Sequence, residues 1–270
     1  MTMIPQYREL MTSLQDLMKQ ACQEIRNELG KVDQHNIEEK ERHSLVSYVD
    51  KNAETYLVKH LSGLIPGCGF ITEEDTVENN KQEYTWIIDP LDGTTNFLYG
   101  IPHFSCSVAL QHHDEVVIGV IIDIMRKDTF HAIKSDGAYL NDHLLTIDSS
   151  PGFSEALVAT GFPYSNGYDA VVFLGVMKEV LENARGVRRL GSAALDLAYV
   201  AAGRLGAYYE TSLNPWDIAA GQLIVQEAGG VMMDFNGGNN YMTGDHIIAC
   251  APQHSKELLD IISPMRSVLS

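Results

Sequence analysis

The sequence predicts an α/β fold. Short apolar runs of strand length alternate with longer stretches whose apolar residues recur every three or four positions. The pattern continues through 270 residues without internal repeats, low-complexity runs or a Pro/Ser linker. That length is near the upper end of what one hydrophobic core can serve. One α/β domain over residues 1–270 is therefore expected, with a sub-boundary near residue 150 left open.

Leu10, Leu14, Leu17, Met18, Ala21 and Ile25 mark an amphipathic helix that stops at Gly30. Lys31 to Ser44, with four acidic residues, three basic residues and two histidines, reads as a solvated, mobile loop. A second helix is expected over Lys51 to Leu61, ended by Gly63 and Pro66. Strands are expected at Trp86–Ile88, Ser107–Leu110 and Val116–Ile122, with His112-His113-Asp114 as the hairpin tip between the last two. Beyond Pro151 come a strand at Ala156–Ala159, a helix over Ala170–Leu181 and a strand at Val187–Leu190. A helix over Ala193–Ala202, a strand at Ala207–Tyr209 and a helix from Trp216 to Ala228 follow, the last stopped by Gly229-Gly230. Strands at Val231–Met233 and Ile247–Cys250 and a helix from Gln253 close the chain.

Nineteen Lys and Arg against 36 Asp and Glu give a net charge of −17. A nucleic-acid binder needs a basic face to displace counterions, and this balance argues against one. The longest apolar stretch, Val116 to Ile122, is far short of the ~20 residues that span a bilayer. Met1 to Arg8 has no basic segment followed by an apolar core, so a signal peptide and a membrane anchor are not expected. Cys22, Cys68, Cys106 and Cys250 never form C-x-x-C and read as free buried thiols of a cytoplasmic protein.

The densest chemical signal is Trp86-Ile87-Ile88-Asp89-Pro90-Leu91-Asp92-Gly93-Thr94-Thr95-Asn96-Phe97. A buried strand runs into two carboxylates, a glycine that admits close backbone approach, and threonines that open a helix whose free N–H groups favour phosphate. Further acidic groups follow apolar runs at Phe70-Ile71-Thr72-Glu73-Glu74-Asp75 and at Tyr208-Tyr209-Glu210, with Trp216-Asp217 seven residues on. Converging carboxylates repel by roughly 1–4 kcal/mol per pair at ~4 Å, so either they are scattered or divalent cations hold them together.

The segment Asp89 to Phe97 resembles the signature of the inositol monophosphatase family, magnesium-dependent, lithium-sensitive phosphomonoesterases. Trp216-Asp217-Ile218-Ala219-Ala220-Gly221, continuing to Glu227-Ala228-Gly229-Gly230, resembles the family's second signature. Glu73-Glu74 and Leu45-Val46-Ser47-Tyr48-Val49-Asp50 fall in family order, so the resemblance covers roughly Gln15 to Ile262. It implies a layered αβαβα sandwich of the sugar-phosphatase type, two sheets with helices between and outside. It also implies a homodimer, a small phosphorylated polyol as substrate and two to three Mg²⁺ per active site.

By the same resemblance, Glu73, Asp89 and the Leu91 carbonyl match ligands of one Mg²⁺, and Asp89, Asp92 and Asp217 those of a second. Glu73 is also similar to a residue that helps hold a weaker third ion through water. Asp50 and Thr94 resemble the pair that orients the attacking water. Gly93 and Thr94 N–H groups would cradle phosphate. Glu210, Asp92 and the Gly191-Ser192-Ala193 turn resemble the groups that meet the alcohol half of the substrate. Hard oxygen ligands suit Mg²⁺, and bound cations invert the field that a −17 chain presents to an anionic substrate. Two positions depart from the pattern: Thr72 replaces the usual Gly, and Ser44-Leu45-Val46-Ser47 replaces Asp-Leu-Val-Thr, leaving open any part of Lys40 in the third ion site.

Other phosphate and metal motifs fail. Gly30-Lys31 is followed by Val32, not the Ser or Thr of a P-loop. Asp89 and Asp92 are one residue too far apart for an Asp-x-Asp phosphatase nucleophile, and Leu91 and Gly100 stand where an EF-hand needs ligands. His112-His113 reads as a solvated pair, His103, Asp196 and Asp234 as structural, and Arg188-Arg189 as a surface pair. Glu74 and Asp75 read as charges that either back the ligand groups or lie on the surface. Within the family resemblance, the chain length and the compact Glu210-to-Asp217 element favour inositol-1-phosphate. Fructose 1,6-bisphosphate, nucleotide 2′- or 3′-phosphates and histidinol phosphate stand as alternatives. A catalytically silent scaffold acting through protein contacts is the rival of a different class.

Overall fold

The computed structural model describes residues 4–33, 35, 37–41, 44–148, 150–162, 170–243 and 246–268. Helix α1 (Ile4–Glu28) buries Leu14, Met18, Ala21 and Ile25 along one stripe, and Gly30 follows in the left-handed region at φ 76°. Part of the expected 31–44 loop is a strand: β1 (Ile37–Glu41) pairs antiparallel with β2 (Ser44–Ser47). The sequence of β1, Ile-Glu-Glu-Lys-Glu, has no apolar alternation, so its pairing left no periodic signal. The side chain of Lys40 lies outside the described residues.

Helix α2 (Tyr48–Leu64) starts three residues before its expected position because of a capping box. The Ser47 hydroxyl accepts from the Val49 N–H, while the Asp50 carboxylate accepts from the Ser47 N–H at 2.9 Å. Next come β3 (Gly69–Thr72), β4 (Tyr84–Asp92), the five-residue α3 (Thr94–Leu98), β5 (Ser105–His112) and β6 (Glu115–Asp123). Strands β7 (Thr129–Ile133), β8 (Gly137–Leu140) and β9 (His143–Leu144) were not anticipated. They are short, and β9 is exposed, so no alternation accumulates over them.

The second half contains β10 (Leu157–Thr160), α4 (Ala170–Asn183), β11 (Gly186–Arg188), α5 (Ala193–Ala201) and β12 (Ala207–Thr211). It ends with α6 (Pro215–Glu227), β13 (Val231–Met233), β14 (His246–Cys250) and α7 (Ser255–Ile262). Seven strands form one sheet in the order β3-β4-β5-β6-β7-β8-β9, antiparallel except for β3 against β4. Five form another in the order β11-β10-β12-β14-β13.

The alternation of side chains along the strands sorts the layers. On β4 and β5, Trp86, Ile88, Val108 and Leu110 pack with α1 and α2, whereas Ile87 and Ala109 face α5 and α6. On β12, Tyr208 joins that same middle layer and Tyr209 packs on the far side with residues of α4 and α7. The result is the αβαβα sandwich that the family resemblance implied. Close contact within it depends on Gly119 of β6, where a Cβ would lie 2.7 Å from the Ala220 carbonyl of α6. No helix among the described residues is long and apolar enough to cross a membrane.

Candidate active site

Asp89 and Asp92 belong to the last four residues of β4, and their spacing alone would put them on opposite faces of a regular strand. The pairing with β5 is irregular there: Asp89 opposes Ser107 and Asp92 opposes Ser105. Three steps on β4 match two on β5, so a bulge returns Asp92 to the side of Asp89. Glu73 follows β3 directly, and because Thr72 pairs with Ile88 in parallel register, Glu73 emerges beside Asp89. Asp217 arrives from the first turn of α6, where its carboxylate accepts the Asn214 N–H at 2.6 Å. It is a helix-terminal acid, unlike the strand-end groups beside it.

One carboxylate oxygen from each of Asp89, Asp92 and Asp217 lies within 4.8 Å of the others. Burial raises the Asp89 carboxyl well above its ordinary range, and the charges of Glu73, Asp92 and Asp217 push it further. Asp217 is raised well above its range by burial and then by Glu73. Asp92 is raised by burial, against four donors that favour its charged form. Those donors are the Ala193 and Ala194 N–H groups at 3.1 and 3.0 Å, the Ser105 hydroxyl at 3.1 Å and the Ser192 hydroxyl. Acids held this close repel one another, and an all-oxygen donor set fits a hard ion such as Mg²⁺.

Asp50 stands beside this cluster, buried at the start of α2. It accepts the Thr94 hydroxyl at 2.9 Å, and that hydroxyl also lies 3.0 Å from the Leu91 carbonyl. Burial raises the Asp50 carboxyl, opposed by its bonds from Ser47 and Thr94. Gly93 precedes α3 in the left-handed region at φ 95°, and a Cβ there would come within 3.1–3.2 Å of Gly191, His103 and Phe104. No side chain caps the first turn of α3.

A cleft of about 270 Å³ joins these groups. Glu73, Asp89, Leu91, Asp92, Gly93, Thr94 and Asp217 line it, together with Gly191, Ser192, Ala193 and Glu210. The Tyr208 hydroxyl donates to the Glu210 carboxylate. That carboxylate lies against Gly161, where a Cβ would sit 1.7 Å from it. Burial lifts the Glu210 carboxyl to about 7, with Tyr208 and the charge of Arg189 pulling the other way.

Arg188 and Arg189 are both exposed, as a surface pair is. Arg189 in addition lines the cleft, with its guanidinium 5.5 Å from the Phe162 ring. Arg188 is the last residue of β11 and Arg189 follows it, a distinction that composition could not draw. Cys68 is half-buried, unlike the other three thiols. Asp234 accepts N–H groups of Asn236, Gly238 and Asn240, as a structural turn residue does. Buried His103 and Asp196 stay outside the cleft lining.

Two positioning groups escaped the sequence reading. Buried Glu54, one helical turn beyond Asp50, accepts the Glu74 N–H at 2.8 Å, the Thr76 N–H at 2.9 Å and the Thr76 hydroxyl at 2.7 Å. It thereby pins the turn that follows Glu73. The Asn96 amide donates to the carbonyls of His103 at 2.7 Å and Leu190 at 2.8 Å, joining α3 to the turn that carries Gly191. The place of Asn96 within the densest motif was a usable signal; Glu54 offered none beyond its spacing from Asp50.

The inositol monophosphatase family model matches residues 6–267. The Escherichia coli (strain K12) protein named Nus factor SuhB is 40% identical over 233 residues, covering 86% of this chain and 86% of that one. The Mesorhizobium japonicum protein named inositol-1-monophosphatase is 38% identical over 243 residues, covering 88% and 91%. Among solved structures, the extragenic suppressor protein suhB of Bartonella henselae superposes with a TM-score of 0.89 at 35% identity, covering 94% of this chain and 98% of that one.

Proposed function

Because the chain belongs to the inositol monophosphatase family, we propose that it hydrolyses a small phosphate monoester, myo-inositol-1-phosphate, to inositol and phosphate. The observation that carries this reading is the convergence of Asp89, Asp92 and Asp217 within 4.8 Å in one cleft, which Thr94 also lines with its hydroxyl bonded to buried Asp50. Glu73, Asp89 and the Leu91 carbonyl would hold one Mg²⁺, and Asp89, Asp92 and Asp217 another, with Glu73 also reaching a third through water. Bound there, the ions would supply charge neutralisation for the phosphoryl oxygens and activation of water, which an in-line displacement without a covalent nucleophile requires.

The protein groups divide the remaining work. Asp50 accepts the Thr94 proton, which turns the Thr94 lone pairs outward to receive a hydrogen bond from the attacking water. The N–H groups of Gly93 and Thr94 face the phosphate. Glu210 and Asp92 accept hydrogen bonds from substrate hydroxyls, beside the Gly191-Ser192-Ala193 turn. The chain works as one domain and as a cytoplasmic homodimer. The exposed apolar row on α4 (Val171, Leu174, Leu181) supports the dimer, and the free thiols support the compartment.

The test is phosphate release from a panel of inositol-1-phosphate, fructose 1,6-bisphosphate, nucleotide 2′- and 3′-phosphates and histidinol phosphate, with Mg²⁺ and with EDTA. Mg²⁺-dependent turnover led by inositol-1-phosphate, inhibited by Li⁺ uncompetitively with substrate, is expected. Preference for another phosphate would overturn the substrate assignment. The 40% identical relatives named Nus factor favour a second reading, a role through protein contacts. No Mg²⁺-dependent release on any member of the panel would leave that reading in place of catalysis.

A further inference from the structure

The opposite end of β4 gathers a second set of metal-ligating groups with a different chemistry. Glu83 immediately precedes β4, His112 ends β5 and pairs with Tyr84, and His113 opens the turn to β6. Adjacent residues of a strand point to opposite faces. His113 escapes that rule through a left-handed backbone, φ 55°, and its N–H donates to the Glu83 carbonyl at 2.7 Å. The two imidazoles consequently lie side by side, centroids 4.5 Å apart and 26° from parallel. His112 is further fixed by stacking on Tyr84, centroids 4.4 Å apart and 4° from parallel.

We propose that Glu83, His112 and His113 bind a divalent transition-metal ion of the zinc class, at a site separate from the carboxylate cleft. Each residue offers one ligand atom, and the three atoms lie within 4.8 Å of one another. Nε2 of His112 is 3.5 Å from a Glu83 carboxylate oxygen. Its other nitrogen, Nδ1, is 3.4 Å from the Tyr7 hydroxyl. A ligating histidine characteristically gives its second nitrogen to such an outer partner, which holds the ring in orientation. Two nitrogens and one oxygen suit Zn²⁺, Co²⁺ or Ni²⁺, whereas Mg²⁺ prefers oxygen alone. The Lys81 ammonium beside the site is paired with Asp114 at 2.8 Å, which limits its repulsion of an incoming cation.

Six residues of extended chain at ~3.3 Å each put the site about 20 Å from Asp89. An ion there would clamp the entry of β4 to the β5–β6 turn. It would stabilise the sheet without touching the reaction.

The experiment uses the full chain kept in excess Mg²⁺, titrated with Co²⁺ by visible absorption and with Zn²⁺ by calorimetry and thermal unfolding. His113→Asn retains a residue that tolerates a left-handed backbone, and Glu83→Gln is likewise exposed, so both should fold. The wild type is expected to take up one more Co²⁺ than either variant, to bind Zn²⁺ at least tenfold more tightly, and to gain a Zn²⁺-dependent rise in Tm that both variants lose. Turnover with Mg²⁺ should be equal in all three proteins. Equal Co²⁺ stoichiometry and equal Tm shifts in wild type and variants would overturn the proposal. This outcome is independent of which phosphate the cleft accepts.

Discussion

The two ends of strand β4 carry ionisable groups under opposite physical conditions. At the carboxyl end Asp89 and Asp92 are buried among other acids, and burial together with mutual repulsion raises their carboxyls. At the amino end Glu83 and His113 are exposed and His112 is half-buried beside Tyr84, so water screens what the sheet brings together. Placement by one strand is common to both. What differs is desolvation, which makes the acids at one end repel until protons or cations join them and leaves a cation at the other end an addition.

The sharpest way to break this comparison is Asp89→Asn. Loss of a ligand proposed to serve two ions should lower kcat at saturating Mg²⁺ by at least ~10³, about 4 kcal/mol. The metal-free variant should also unfold at a higher temperature than the metal-free wild type, because a neutral amide removes a repelling charge. A kcat above a tenth of the wild-type value would refute the assignment.

Next in size is a pH effect on the metal-free protein. A Glu210 carboxyl raised from 4.5 to about 7 binds its proton more tightly folded than unfolded. The resulting stability is complete below about pH 4.5 and is lost as pH rises through about 7, worth about 3 kcal/mol. Asp136 and Asp148, held low by Arg8 and Ser150, act in the opposite sense, and their contribution fades only as pH falls below the usual carboxylate range. Urea unfolding in EDTA between pH 5 and 8 should therefore show stability falling with pH, less steeply in Glu210→Gln. Parallel profiles for the two proteins would contradict a raised Glu210.

The same variant separates recognition from chemistry. Glu210→Gln keeps the shape and weakens charge-assisted hydrogen bonds of roughly 1.5–3 kcal/mol. A 10- to 150-fold loss of kcat/KM on inositol-1-phosphate is expected. p-Nitrophenyl phosphate, which offers no hydroxyls there, should be little affected. Equal losses on both substrates would move Glu210 into the catalytic machinery.

The smallest expected effect sharpens the role of desolvation behind the cleft. Glu54→Gln weakens three bonds to the turn after Glu73 and should cost about 1–3 kcal/mol of stability. It should raise the Mg²⁺ concentration needed for half-maximal activity several-fold while leaving kcat at saturating Mg²⁺ nearly unchanged. A drop in kcat with unchanged Mg²⁺ dependence would argue against a positioning role.

Much of this was legible in the residues. The apolar period of α1 and the continuous apolar runs of α5, α6, β5 and β6 marked those elements, because burial on one face imprints a period and burial on all faces a run. The motif around Asp89 stood out because a buried strand rarely ends in two acids. Strands β1 and β7–β9 did not, being short or charged, and Arg189 could not be told from Arg188 because both have the same composition around them.

By itself the sequence determined which groups could do chemistry and in what order they come: carboxylates after apolar strands, glycine where the backbone must turn, and an acid at the head of a helix. Only the tertiary structure decided that they meet. The bulge in β4 turned Asp92 toward Asp89, parallel register with β3 brought Glu73 alongside, and α6 resting on Gly119 delivered Asp217 from more than a hundred residues away. The same packing buried Asp89 and Asp92 but left Glu83 and His113 exposed. A carboxylate's chemistry follows from its type, whereas its need for a cation follows from how many other charges share its burial, and that number is set by packing across the chain.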